Sequence, residues 1–372
     1  MKFPHLICTA AALALFTSIG SAAEVDFYVG TYTHWYGSKG IYHFRFDDAR
    51  GGISGGELAA ETDDPAFLAV HPNRHWLYAI NEQKVGMVNA YAIAPNGQLR
   101  FLDRQSSHGS GTCHVSLDAQ GRHVLVANYL SATVAVLPVQ RDGALGAATG
   151  FDQQSGSSIN PERQTGPYAH SVYVDPANRF VYSCDLGSDW VEGYRYDAAN
   201  GTITKAPGAR AKMAPGSGPR HLVLHPRGFV YVINEMGSTV TALRREEDTG
   251  AMHLLQTVST LPKGFTKEST CAEIALHPNG KFLYASNRGH NSIAVFALGN
   301  DGHLTPIDYT PTGGKIPRNF ALDPSGRWLL AANQRTNDIF VFRVDGHTGK
   351  LTPTGQKVHV TAPVCVAFVP PK

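Results

Sequence analysis

Apolar and polar positions alternate along this chain in short runs, interrupted at close intervals by Gly, Pro, Asn and Asp. One unit recurs. A half-apolar run ends in His-Pro or Asp-Pro, a small turn follows, and a second apolar run ends at Asn. Phe67-Leu-Ala-Val-His-Pro72 leads to Trp76-Leu-Tyr-Ala-Ile-Asn81, and His221-Leu-Val-Leu-His-Pro226 leads to Phe229-Val-Tyr-Val-Ile-Asn234. Ala272–Pro278 with Phe282–Asn287, and Asn319–Pro324 with Trp328–Asn333, repeat it, and weaker copies begin at His114 and His170. Period-two alternation bounded by turn residues predicts β-strands. A third alternating run, such as Ile293–Leu298 or Ile339–Val344, and a short fourth after a Gly hairpin, as in Gly349-Lys-Leu-Thr352, complete each unit.

Four short strands repeated at this period predict an all-β fold of radial blades, a β-propeller. The ends set the blade number. Phe27-Tyr-Val-Gly-Thr31 reads as a second strand with no first strand before it, and Val364-Cys-Val-Ala-Phe-Val-Pro370 reads as an orphan first strand. Joining the two gives seven first and seven second strands. The expectation is one seven-bladed propeller of four-stranded antiparallel blades over residues 24–372, its last strand completing the blade that the first begins. Closure leaves no long free edge.

In such a blade the start of the first strand and the end of the second share one face, at the mouth of the central channel. Aligned on the His/Asp-Pro anchor, the residue five before it is Ala66, Cys113, His170, Arg220, Ala272, Arg318 and Val364. The next is Phe67, His114, Ser171, His221, Glu273, Asn319 and Cys365. The residue after the end of the second strand is Tyr32, Glu82, Tyr129, Leu186, Glu235, Arg288 and Gln334. A position required by the scaffold should repeat its chemistry from blade to blade, and these do not. His, Arg and Glu concentrated at one mouth could supply bases, cations and acceptors around a small polar ligand.

Plainer roles fit other repeated residues. Asn81, Asn128, Asn234, Asn287 and Asn333 read as turn caps, because Asn bonds its own backbone in turns. His71, His225 and His277 lie at the opposite end of the first strand and read as structural turn residues. Arg and Glu at the mouth could simply pair with each other.

Composition narrows the class. The 372 residues carry a formal charge of +2, with the 32 basic residues spread out, so no nucleic-acid footprint is present. At 42% hydrophobic the chain can bury a substantial core. Lys2, the apolar stretch Leu6–Ile19 and the small residues Ser21, Ala22 and Ala23 form the layout of a secretory signal peptide over residues 1–23. Its apolar core is too short for a membrane span. The protein is therefore expected to be periplasmic or secreted, with no membrane insertion after cleavage. Cys113, Cys184, Cys271 and Cys365 would remain, without a CxxC pattern, and read as buried free thiols.

Several stretches in order carry a resemblance: Tyr28-Val-Gly-Thr-Tyr32, Asn160-Pro-Glu-Arg-Gln164, Gly166-Pro-Tyr-Ala-His-Ser171, Gly218-Pro-Arg-His-Leu222, Val232-Ile-Asn-Glu235, Ala272-Glu-Ile274, Ser286-Asn-Arg-Gly-His290 and Pro317-Arg-Asn-Phe320. Over residues 25–370 the sequence resembles the lactonase family of seven-bladed propellers, which holds bacterial 6-phosphogluconolactonase and the fungal carboxy-cis,cis-muconate lactonizing enzyme. The resemblance implies catalytic roles for His170, Arg220, Glu235 and Arg288, four residues that the columns single out independently.

It implies a lactonase that hydrolyses a sugar lactone without a metal or other cofactor. Glu235 or His170 could take the water's proton, while Arg220 and Arg288 hold the oxyanion or an acidic group. His114, Tyr129, His221, Glu273, Arg318 and Glu82 are the expected substrate-binding residues, and the protein is expected to act as a monomer on a small-molecule lactone. A muconate-type cycloisomerase, a non-catalytic binding platform and a calcium-dependent gluconolactonase are the alternatives. Arg residues at the same mouth would repel a cation.

Overall fold

The computed structural model describes residues 24–370, so the proposed leader at 1–23 lies outside the described residues. Seven antiparallel sheets form one ring. Blade 1 consists of Glu24–Thr31, Gly40–Asp47 and Gly52–Glu61, with Pro363–Phe368 as its inner strand. Phe27 pairs with Phe368, Val29 with Val366 and Gly30 with Cys365. Blades 2 to 7 follow in chain order, with inner strands starting at Leu68, Thr112, Ala169, Pro219, Thr270 and Pro317. The expected closure is thus present.

Blade 4 departs from the four-strand plan. Its outer edge is split into Thr202–Lys205 and Ala211–Lys212, both paired with Trp190–Asp197. Pro207 and Gly208 make a 3-10 turn between the pieces. Gly193 permits it, because a Cβ there would lie 2.3 Å from the Ala209 carbonyl oxygen.

The second strands are apolar on both faces because both faces are covered by neighbouring blades. Every residue of Phe229–Asn234 is buried, whereas Leu351–His359 on an outer edge is mostly exposed. The core lies between sheets: Phe229, Tyr231 and Ile233 of blade 5 pack on Ile274, Leu283 and Phe296 of blade 6. Fully burying each such side chain stabilises the fold by about 1.5–3 kcal/mol.

Hydrogen bonds at the face opposite the mouth latch one blade to the next. The hydroxyls of Tyr28, Tyr78, Tyr182, Tyr231 and Tyr284 donate to the carbonyls of Gly97, Gly143, Gly250, Gly302 and Gly349 on the following blade, at 2.9–3.1 Å. Leu125 and Leu330 take the Tyr position in blades 3 and 7. There the contacts are Tyr196 with His123, and Trp328 Nε1 donating to the Asp48 carbonyl.

The anchor histidines share this work. Nδ1 of His71, His225 and His277 accepts the backbone N–H two residues on, and Nε2–H donates to Gly121, Gly280 or Gly326 of the next blade at 2.8–3.0 Å. Their role is structural, and it crosses blades as well as closing the turn. The repeated Asn residues are caps too, but of neighbouring segments rather than of their own backbone. Asn128 Nδ2 donates to the Ser107 carbonyl and Thr133 Oγ1, and Asn287 Nδ2 to the Thr260 carbonyl and Ser292 Oγ. All four cysteines of the described residues are buried and free.

Candidate active site

The column five before each anchor has a backbone cause. Along the inner strands the pairing skips one residue at the mouth. Ala169 pairs with Asp185 and Ser171 with Cys184, which leaves His170 as the extra residue. The same skip isolates Cys113, Arg220 and Arg318. A β-bulge re-aims a side chain, and here it turns these residues toward the channel mouth.

Glu235 is the hub of the mouth. Its Oε1 accepts from Arg163 Nη2 at 2.9 Å, and its Oε2 lies 3.1 Å from Arg220 Nε and 2.8 Å from Arg288 Nη2. The arginines are fixed in turn: Arg163 donates to the Tyr129 hydroxyl, Arg220 to the Ala272 carbonyl and Arg288 to the Cys271 carbonyl. Burial would raise the Glu235 carboxyl, but Arg288, Arg220 and Arg163 outweigh it and pull it down to about 2. Burial lowers Arg288 to about 10 despite the attraction of Glu235.

Glu235, ionised and clamped on both oxygens, is a poor proton acceptor. Arg220 and Glu235 are only 3% and 5% exposed, so they are buried supports of the mouth rather than free surface groups.

His170 stands beside this cluster. Its ring meets Tyr129 edge-on at 5.5 Å and His221 at 5.3 Å. Among the described residues its only side-chain hydrogen-bond partner is the Cys113 thiol, 4.0 Å from Nδ1. Burial, reinforced by Arg220 and His221, holds its pKa well below the ordinary imidazole value. It is therefore a neutral imidazole at pH 7.

Glu82, Tyr32 and Arg318 form a second group. Tyr32 donates to Glu82 at 2.6 Å, and the Arg318 guanidinium sits 5.3 Å from the Tyr32 ring centre. Burial raises the Glu82 carboxyl against the pull of Arg318. While Arg163, Arg220 and Arg288 all meet Glu235, the Arg318 guanidinium has no hydrogen bond or ion pair to any described residue.

His114, His221 and Glu273, one step further along the inner strands, lie beneath the arginine layer. His114 and His221 are each 1% exposed. His221 Nδ1–H donates to Glu273 at 2.9 Å, which leaves Nε2 to accept from Arg220 Nη1 at 3.2 Å. Asn319 Nδ2 donates to Glu273, and its Oδ1 accepts the Val366 N–H of the closing strand. Those three expected binding residues thus reach the mouth through Arg220 and His170. Below them a chamber of about 460 Å³, lined by Phe67, His114, Tyr173 and Asn319, occupies the channel.

Arg163 was not singled out by any column, because it belongs to no strand. It sits in the connection 154–168, inside the Asn160–Gln164 motif. Buried Asp189 ties that connection down by accepting from Ser158 Oγ, Gln164 Nε2 and the backbone N–H groups of Gly216 and Gly218. One carboxylate thus positions the segments that deliver Arg163 and Arg220.

Two clefts open at the mouth. One of about 440 Å³ is lined by Arg288, Gln334 and Arg335, the other of about 320 Å³ by Tyr32, Trp35 and Glu82. Tyr36 separates them, its hydroxyl accepting from Gln334 Nε2 at 3.1 Å. A larger hollow of about 790 Å³ near Pro176, Arg227 and Glu246 lies at the far face, away from this cluster. Among the described residues no group of three or more His, Cys, Asp and Glu side chains is arranged to hold a metal ion.

The buried histidines set an expected pH response. Burial is the leading cause that keeps His114, His170 and His221 below the ordinary value near 6.5. Below that pH the unfolded chain takes up protons that the folded chain refuses. Their contribution is therefore complete above about pH 6.5 and lost on acidification, by about 1.4 kcal/mol per pH unit for each histidine still neutral in the fold. The stabilisation that Glu235 gains from a pKa of about 2 is complete above the ordinary carboxylate range and is lost only as the pH falls below it, so it does not shape the response between pH 7 and pH 5. The melting temperature should fall steadily from pH 7 to pH 5. A flat profile there would mean the three rings are not buried neutral.

Known proteins share this architecture. The family model described as "Lactonase, 7-bladed beta-propeller" matches residues 26–368. The chain is similar to a 6-phosphogluconolactonase of Bacillus subtilis, 39% identical over 92% of this chain and 97% of that protein. It is 34% identical to a 6-phosphogluconolactonase of Formosa agariphila over 90% of this chain and 96% of the other. The structure of a Pseudomonas aeruginosa periplasmic gluconolactonase superposes with a TM-score of 0.87 at 33% identity, covering 93% of this chain and 99% of that one. A bulged ring of inner strands, a glutamate held by arginines and sequence likeness across nearly the whole chain point the same way: this protein belongs to the lactonase family of seven-bladed β-propellers.

Proposed function

We propose that the protein hydrolyses a sugar lactone to its hydroxy acid, with His170 as the base. The observation that carries this reading is a neutral, buried imidazole whose only side-chain hydrogen bond among the described residues is the long one to the Cys113 thiol, set beside guanidinium groups at a concave mouth. Relatives named 6-phosphogluconolactonase and gluconolactonase support the substrate class. The apolar leader supports action outside the cytoplasm.

Neutral His170 accepts a proton as water attacks the lactone carbonyl carbon. Charge that gathers on the carbonyl oxygen is met by Arg318, whose fork is uncommitted, and by the positive field of Arg288. A donor aimed at such an oxyanion is worth about 3–4 kcal/mol of barrier. The imidazolium then returns its proton to the ring oxygen as the acyl–oxygen bond breaks, which restores neutral His170. Glu235 keeps Arg163, Arg220 and Arg288 in place and offsets their mutual repulsion. His221, Glu273 and His114 support that layer from below.

A general base contributes roughly 10²–10⁴ in rate. The His170→Gln variant should therefore lose at least ~100-fold in kcat with little change in KM. The wild-type profile should be flat from pH 6.5 to 8 and fall only at lower pH, as the depressed imidazole becomes protonated. Chelator should leave the rate unchanged. Wild-type turnover by His170→Gln on a lactone that the protein hydrolyses would remove His170 from the mechanism.

A further inference from the structure

Large apolar side chains are exposed unevenly. Trp35 is 90% exposed and Tyr36 41%, and with Val85, Leu130 and Ile159 they stand on connections at the mouth of blades 1 to 4. Trp35 also has a left-handed backbone, φ +72°, which a bulky residue adopts at a cost. The loop carrying it is well fixed. Asp64 Oδ1 accepts the Thr33 and His34 N–H groups at 2.8 and 2.9 Å, and Tyr36 is bridged to Gln334. The His34 ring buttresses Trp35 edge-on at 4.5 Å, and Tyr36 stacks on Tyr32 at 6.1 Å. A solvated indole thus stands on an anchored loop beside the catalytic cluster.

The neighbouring cleft of about 320 Å³ combines this aromatic wall with His34, Gln83 and Lys84. It meets the catalytic mouth at Tyr32 and Glu82. Aromatic faces cover the apolar C–H side of a pyranose, while polar side chains around them bond its hydroxyls. A single-ring lactone on the Arg288 side of Tyr36 leaves this second cleft unfilled.

We infer that the cleft at Trp35 is a sugar subsite, and that the preferred substrate is the lactone of an oligosaccharide aldonic acid, its second sugar ring stacked on Trp35. The inference rests on the lactonase reading of the same mouth. It commits to a saccharide rather than a protein because the cleft is concave, bears hydrogen-bonding side chains and is continuous with the catalytic cluster.

The test uses the mature protein with glucono-δ-lactone and cellobiono-δ-lactone, in wild type, Trp35→Ala and Trp35→Phe. Wild type should favour the two-ring lactone at least tenfold in kcat/KM. Trp35→Ala should remove that preference, mainly through KM, and leave gluconolactone within twofold, while Trp35→Phe keeps part of it. Cellobionate, the product, should shift the tryptophan emission of wild type but not of Trp35→Ala. Equal use of both lactones by wild type and Trp35→Ala, with no emission change, would overturn the subsite. An emission shift without hydrolysis of either lactone would uphold the subsite and defeat the lactonase reading instead.

Discussion

Replacing Glu235 by alanine is expected to destabilise the protein by about 3–5 kcal/mol and to abolish turnover. Removing one partner of a buried ion pair leaves the other charge uncompensated, and that is the costly case. Here three guanidinium groups, Arg163, Arg220 and Arg288, would face each other without the carboxylate that now lies within 3.1 Å of each. Arg220 is itself buried. Glu235→Gln keeps the shape and one acceptor oxygen, so it should fall between wild type and alanine. Denaturant midpoints at constant slope measure the difference. An unchanged midpoint for Glu235→Ala would show that the arginines relax into solvent and that the hub is ornamental.

Deleting residues 363–372 should have an effect of similar or greater size. Pro363–Phe368 supplies the inner strand of blade 1, with Val364, Cys365 and Val366 buried. Its loss exposes the Phe27 and Val29 core and opens the ladder along Glu24–Thr31. It also removes the Val366 N–H that holds Asn319, and with it one support of Glu273. At about 1.5–3 kcal/mol for each buried apolar side chain, the loss is a large share of the 5–15 kcal/mol that usually holds a domain folded. Circular dichroism should show loss of the cooperative melt. A truncated chain that melts like wild type would contradict closure by this strand.

The ring was readable in the sequence because a blade repeats and its boundaries carry turn chemistry. Phe27-Tyr-Val-Gly-Thr31 and Val364–Pro370 announced closure by lacking their partners. His170, Arg220 and Arg318 stood out because a bulge position is free of the packing demands that make the anchors repeat. Burial of Arg220 was not readable, since it depends on Glu235 and Ala272 arriving from other strands. Arg163 escaped because a connection has no periodicity, and only its motif hinted at a role. That Glu235 is held ionised is likewise a matter of three-dimensional charge. Three arginines converging on one carboxylate cannot be counted along a chain.

The tyrosine-to-glycine latches carry a consequence for how such a protein can diverge. They lie on the face away from the mouth and use the starts of the second strands and the outer hairpins, away from the arginines gathered on Glu235. The connection 32–39 at the other face can therefore be lengthened, shortened or exchanged while the ring keeps its joints. Selection on substrate range and selection on stability then act on different stretches of chain. A graft of the 32–39 connection between relatives should transfer preference among lactones without transferring thermal tolerance.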